Sequence, residues 1–186
     1  MRVLLAIFCL CFIAGASAQD SMTVRYKIYD TRSKQIVTID QIVADMVNAD
    51  VLFFGEEHND SAGHYLENKI YRALHAAYGS QLALSLEMFE TDNQLVLDEY
   101  LQGRIDETRL GKDARLWSNY KDYRPMIEYA KQNKLPVIAA NPPRRYVTMA
   151  NRRGMKSLDS LSKEAKAFLP PIKLIKSVGL CGAKKL

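Results

Sequence analysis

The chain reads as an α/β protein, a three-layer α/β/α arrangement around a mainly parallel central sheet. Three observations predict this. Apolar runs at residues 51–54, 81–89 and 137–140 have the length and composition of strands covered on both faces. Segments with helical spacing lie between them. Each run also gives way to polar residues and then to a helix signal, the order expected of βαβ units.

The elements follow in sequence. Val24, Tyr26 and Ile28 alternate like a strand, residues 30–34 have turn composition, and Gln35–Val37 returns as a short hairpin arm. Thr38-Ile39-Asp40-Gln41 is a capping-box pattern that opens a helix to about Val47. The first core strand, 51–54, stops at Gly55-Glu56. Asp60 then caps a helix over 61–78, with Leu66, Ile70, Ala73, Leu74 and Ala77 as its apolar stripe and Gly79 as its stop. The second strand covers 81–89, and a helix over 93–101 ends near Gly103. A helix over 123–133 carries Pro125 in its first turn, where proline is tolerated. After the third strand come helices over 144–153 and 160–168. Beyond Leu169-Pro170-Pro171 no strand pattern appears, so the sheet is expected to be truncated at its C-terminal side. Residues 170–186 then read as a short basic tail, the end of a truncated or frame-shifted product.

The first residues point to export. Met1-Arg2, the apolar run 3–13 and Ala16-Ser17-Ala18 are ordered as a secretory signal peptide over 1–18, and the run is too short to span a bilayer. Residues 19–169 are the expected domain, in a periplasmic or other extracytoplasmic compartment. Cys9 and Cys11 lie in the signal without a lipobox, so lipid anchoring is not expected. Cys181 alone cannot form an internal disulfide.

Charge is divided along the chain. Residues 19–111 hold 8 Lys/Arg against 16 Asp/Glu, whereas residues 112–186 hold 17 against 5. The basic half points to an anionic ligand or surface, with a solvated basic face as the plain alternative. Without a basic motif interleaved with aromatics, nucleic acid is not an expected partner.

Polar groups gather where ligands bind in open α/β sheets, at the carboxyl ends of the strands. Glu56 and His58 end the first run, Glu87 lies near the end of the second, and Asn141 ends the third. Glu56 and His58 are two apart and project to one side of an extended segment. A carboxylate beside an imidazole suits metal ligation or acid–base work. His64 lies off the apolar stripe of its helix, a poor fit to the core and well placed to lean over the sheet edge. His75, also off the stripe but further along, should face solvent. Glu87 alternates with Leu84 and Leu86, so burial would require a partner such as His58 or Arg144. There is no HExxH helix and no G-x-S-x-G elbow.

Three ordered blocks are more specific than any one of them. Val51-Leu52-Phe53-Phe54-Gly55-Glu56-Glu57-His58-Asn59-Asp60 with His64, Leu86-Glu87-Met88-Phe89, and Asn141-Pro142-Pro143-Arg144-Arg145-Tyr146-Val147 together resemble the ChaN-like haem-binding family over about residues 24–169. That family looks like a branch of a wider group with the erythromycin esterases and TIKI-type metalloproteases. The resemblance implies an α/β/α fold, haem as cofactor and a role in haem or iron uptake. It further implies haem, an envelope transport system and a second copy of the chain as partners. Tyr123 and Tyr146 are the candidate iron ligands, with Arg144 and Arg145 for the propionates. Glu56, His58, His64 and Glu87 are candidate ligands for a divalent metal ion. They are also the catalytic residues under the alternative of an esterase or metal-dependent protease. Enzymatic activity itself is left open by these residues.

Overall fold

The computed structural model describes residues 26–171. The expected export signal, Cys181 and most of the basic tail lie outside the described residues.

Local signals explain most element boundaries. Strands β1 (Ile28–Asp30) and β2 (Gln35–Val37) pair antiparallel, and Lys34 closes their turn at φ 61° while Asp30 accepts from the backbone of Arg32 and Ser33. Helix α1 (Ile39–Asp45) opens with both halves of the capping box, Thr38 bonding Gln41 N–H and Gln41 bonding Thr38 N–H. Helix α2 (Ser61–Tyr78) starts where Asp60 accepts from Ala62 N–H and stops at Gly79, whose φ of 57° a side chain would disfavour.

The centre is a parallel pair. Strand β3 (Leu84–Glu90) lies beside β4 (Val137–Asn141), and helix α3 (Gln94–Leu101), helix α4 (Glu107–Asp113) and helix α5 (Tyr120–Asn133) make the crossover. Leu84, Leu86, Val137 and Ala139 face the core, packed with Leu97, Tyr100, Leu110, Met126 and Ile127. Between Leu86 and Glu90 the register shifts, and there both Met88 and Phe89 turn inward, breaking the alternation. Gln94 ties α3 to β4 by donating to Val137 C=O and accepting from Ala139 N–H. Helix α6 (Arg144–Arg153) and helix α7 (Lys163–Lys166) follow β4, the latter capped by Ser162. The α/β class and the parallel pairing agree with the sequence reading.

Several expectations change. Residues 51–54 are not a strand among the described residues: no ladder joins them to β3, and Phe53 is 91% exposed. The opposite face of the β3–β4 pair, with Ser85, Glu87, Ile138 and Ala140, is likewise exposed. An apolar run marks a chain fit for burial but does not supply the surface that buries it. Helix α4 forms in a stretch too polar to be predicted, because Asp106 caps it through Arg109 N–H. Helix α5 begins a turn before the predicted start, so Pro125 falls beyond the first turn. The last helix shrinks to α7 behind a 3-10 segment over Met155–Ser160.

This distribution of burial gives a direct comparison. Phe89→Ala should lower the unfolding free energy by about 3–5 kcal/mol. Phe53→Ala, on an exposed side chain, should stay within about 0.5 kcal/mol. Urea denaturation followed by circular dichroism reads both; a Phe53→Ala loss close to that of Phe89→Ala would place residues 51–54 in the core after all.

Candidate functional site

The site forms where the segment after Phe54 crosses between the start of α2 and the start of α5. Glu56 is largely covered there. Its Oε1 accepts from the Tyr123 hydroxyl at 2.7 Å and lies 3.0 Å from His58 Nδ1. Its Oε2 is buried and accepts no hydrogen bond, although His64 Nδ1 is 3.2 Å away. His64, the fourth residue of α2, is only 2% exposed. Its Nε2 bonds the carbonyl of His58 at 3.0 Å, and its Nδ1 also approaches Glu67 Oε2 at 3.5 Å. Glu67 stands one turn further along α2, on the same face.

Aromatic rings enclose this polar group. Tyr123 is buried, its ring 4.4 Å from the His64 ring and 5.9 Å from Trp117, while Trp117 meets His58 edge-on at 4.7 Å. Asn119 Nδ2 donates to the same His58 carbonyl that His64 holds. The segment carrying Glu56 and His58 is thereby fixed to two helices without belonging to a sheet.

The proton positions follow from the partners. A carbonyl can only accept, so His64 Nε2 carries hydrogen and Nδ1 faces the two carboxylates. Burial, the largest influence, favours the neutral ring, but the His58 carbonyl, Glu67 and Glu56 outweigh it and raise the His64 pKa above its ordinary value. Burial raises Glu67 above the usual carboxylate range, and the neighbouring Glu56 charge adds to this, while His64 opposes it. Burial and the bond to Glu56 push the Tyr123 hydroxyl above the usual phenol range, so it keeps its proton and donates.

The structure therefore brings together Glu56, His58, His64 and Tyr123 from the expected set. His64 is buried rather than leaning outward, because the 55–60 segment and α5 roof that side of α2. Glu87 stands apart: it is exposed on the open sheet face, and no hydrogen bond or ion pair reaches it among the described residues. His75 is half-buried instead of solvent-facing, and its Nδ1 meets the Tyr129 hydroxyl at 2.7 Å. Asn141 ends β4. Glu67 was not expected, although His64 and Glu67 at i and i+3 were a readable signal. Asn119 and Trp117 had none, since only the packing of α5 brings them to His58.

The candidates on α6 form a second region. Tyr146 is half-buried, with the Arg145 guanidinium 4.4 Å above its ring, and Arg145 also pairs with Asp92. Asp92 binds Arg115 as well, and Glu90 accepts from Arg115 and from Arg144 N–H. The Arg144 side chain is exposed and joins no ion pair among the described residues.

A model of the haem-binding uptake family of the Tiki superfamily, ChaN, matches residues 42–179. The chain belongs to this family. The match takes in Glu56, His58, His64, Glu67, Tyr123 and Tyr146, so both regions lie within the family's own span. Among solved structures, the one described as cofacial haem binding to ChaN of Campylobacter jejuni superposes with a TM-score of 0.59 at 22% identity. It covers 68% of this chain and 52% of that one, and at this identity it bears on the fold alone. Protein RETICULATA-RELATED 5, chloroplastic, from Arabidopsis thaliana is 27% identical over 133 residues, which are 68% of this chain and 18% of the plant protein. The chain thus spans about half of the bacterial structure and under a fifth of the plant protein.

The raised pKa values set a pH dependence. A group whose folded pKa is raised contributes stability that is complete below its unfolded pKa and is lost as pH rises through the folded one. For His64 the loss begins above about 6.5, the ordinary histidine value. In chelator-treated protein the melting temperature should therefore fall between pH 6 and pH 8, and His64→Gln should flatten that slope. An unchanged slope in the variant would show that the histidine holds no extra proton in the fold.

Proposed function

We propose that this chain is an exported haem-binding protein that serves haem or iron uptake. The family match over residues 42–179 is the observation that carries this reading. A haem site needs an axial donor, cations for the propionates and an apolar surface. The residues on and around α6 fit those needs: Tyr146 would hold the iron and Arg144 a propionate, with exposed Val147 and Ile138 as apolar surface. Tyr123 fits poorly, because its buried hydroxyl is committed to Glu56. Arg145, paired with Asp92 and stacked on Tyr146, would position that tyrosine. Bound haem itself supplies the iron centre and a visible absorption.

The order of the first residues supports the export half of this reading. The charged, apolar and small-residue order of positions 1–18 is that of a cleaved signal. An envelope transport system and a second copy of the chain are the partners this role calls for.

Titration of the purified protein with haem should give a Soret band that saturates at a fixed stoichiometry. Tyr146→Phe should move the band and weaken binding, whereas Tyr123→Phe should leave its position unchanged. If no single tyrosine or histidine change alters the spectrum, the haem is adventitious and the reading falls. Sequencing the protein from its native envelope should begin Gln-Asp-Ser-Met, from Gln19; a retained Met1 would remove the export half of the proposal.

A further inference from the structure

We propose that Glu56, His64 and Glu67 form a site for a divalent first-row transition-metal ion, separate from the haem reading and independent of it. One ligand atom from each lies within 4.8 Å of the other two. The separation of 3.2 Å from His64 Nδ1 to Glu56 Oε2 matches neighbouring ligands around one ion, and that of 3.5 Å to Glu67 Oε2 lies just beyond it. At metal–ligand distances of about 2.1 Å, adjacent donors stand roughly 3.0–3.4 Å apart.

The surroundings are those of a prepared ligand set. His64 gives its Nε2–H to the His58 carbonyl, which leaves Nδ1 facing the two carboxylates, where a bound ion would take the place of its proton. Metal-bound histidines almost always anchor their other nitrogen in this way. Glu56 is held through Oε1 by the Tyr123 hydroxyl and His58, so its buried Oε2 is turned toward the same point and accepts no hydrogen bond there. His64 Nδ1 stands 3.2 Å from this oxygen without a formed hydrogen bond, and a cation at this point would satisfy the buried acceptor together with both neighbours. Three donors from two segments converge, and each of the first two is fixed by a bond on its far side.

One imidazole and two carboxylates favour zinc, manganese, iron or cobalt over calcium or magnesium, which prefer an all-oxygen shell. Three protein ligands leave coordination positions for water. Glu87 has no part in the site, and His58 supports Glu56 and covers the group through Trp117.

The test uses the full chain, chelator-treated and without haem. Calorimetric titration with Zn²⁺, and the visible spectrum with Co²⁺, should both show one site per chain. Glu67→Gln should abolish the Co²⁺ spectrum or weaken Zn²⁺ binding more than a hundredfold. Tyr123→Phe, which removes only a supporting bond, should weaken it by about 10–100-fold. Glu87→Gln should bind as the parent does. Circular dichroism of each variant separates loss of ligand from loss of fold, and His64→Asn provides a second ligand change should Glu67→Gln unfold. A folded parent protein that binds neither ion would overturn the proposal. So would binding that survives Glu67→Gln but not His58→Ala, which would put the ion at the exposed histidine instead. Haem titration of the same samples is a separate measurement, so either proposal can fail without the other.

Discussion

Tyr123 has to meet two demands that usually fall to different residues. Its ring is part of the core, packed with residues of the crossover helices, and its hydroxyl must find an acceptor because no water reaches it. Glu56 is that acceptor. The bond draws the segment after Phe54 onto α5, and His64 holds the same segment from α2 through the His58 carbonyl. Backbone that lacks a strand partner is thus positioned by side chains from two helices. Loss of the tyrosine hydroxyl would leave a buried carboxylate with one supporting bond fewer, and the whole polar group would loosen.

The two candidate regions differ in electrostatic character. Around His64 the charge is negative and enclosed: two carboxylates face one ring nitrogen, and aromatic rings limit the access of water. Interactions of that kind are strong because the local dielectric is low. Along α6 the charge is positive and exposed, and much of it is already engaged by Glu90 and Asp92 at the end of β3. Those acids orient Arg145 over Tyr146 and hold the first backbone N–H of α6, so the helix start is anchored to the sheet while Arg144 extends outward. The two regions are therefore chemically distinct, one rich in carboxylate and enclosed, the other basic and exposed.

The open face of the β3–β4 pair belongs to the same picture. Parallel sheets are normally covered on both sides, yet here helices cover one side among the described residues and Ile138 remains 48% exposed on the other. Phe53 and Val51 are exposed as well. The ChaN structure from Campylobacter jejuni is about twice the length that this chain matches.

Much of the local structure was legible in the residues themselves. The capping box at Thr38, the Asp60 cap, the Gly79 stop and the alternation in β3 depend on contacts within a few positions, and those contacts are encoded where they occur. The ordered blocks around Glu56, Glu87 and Tyr146 also mark the family in the sequence itself. What no local pattern could decide was which groups meet. Glu56 and His58 were readable as a pair. That His64 would turn inward to join them, that Glu67 would complete the group and that Glu87 would stay outside depended on where α5 packs. The same holds for residues 51–54, whose apolar character is intrinsic but whose burial requires a partner strand. Propensity and capping act over one or two turns of chain, whereas burial and the pairing of charges are properties of surfaces that only the folded chain brings into contact.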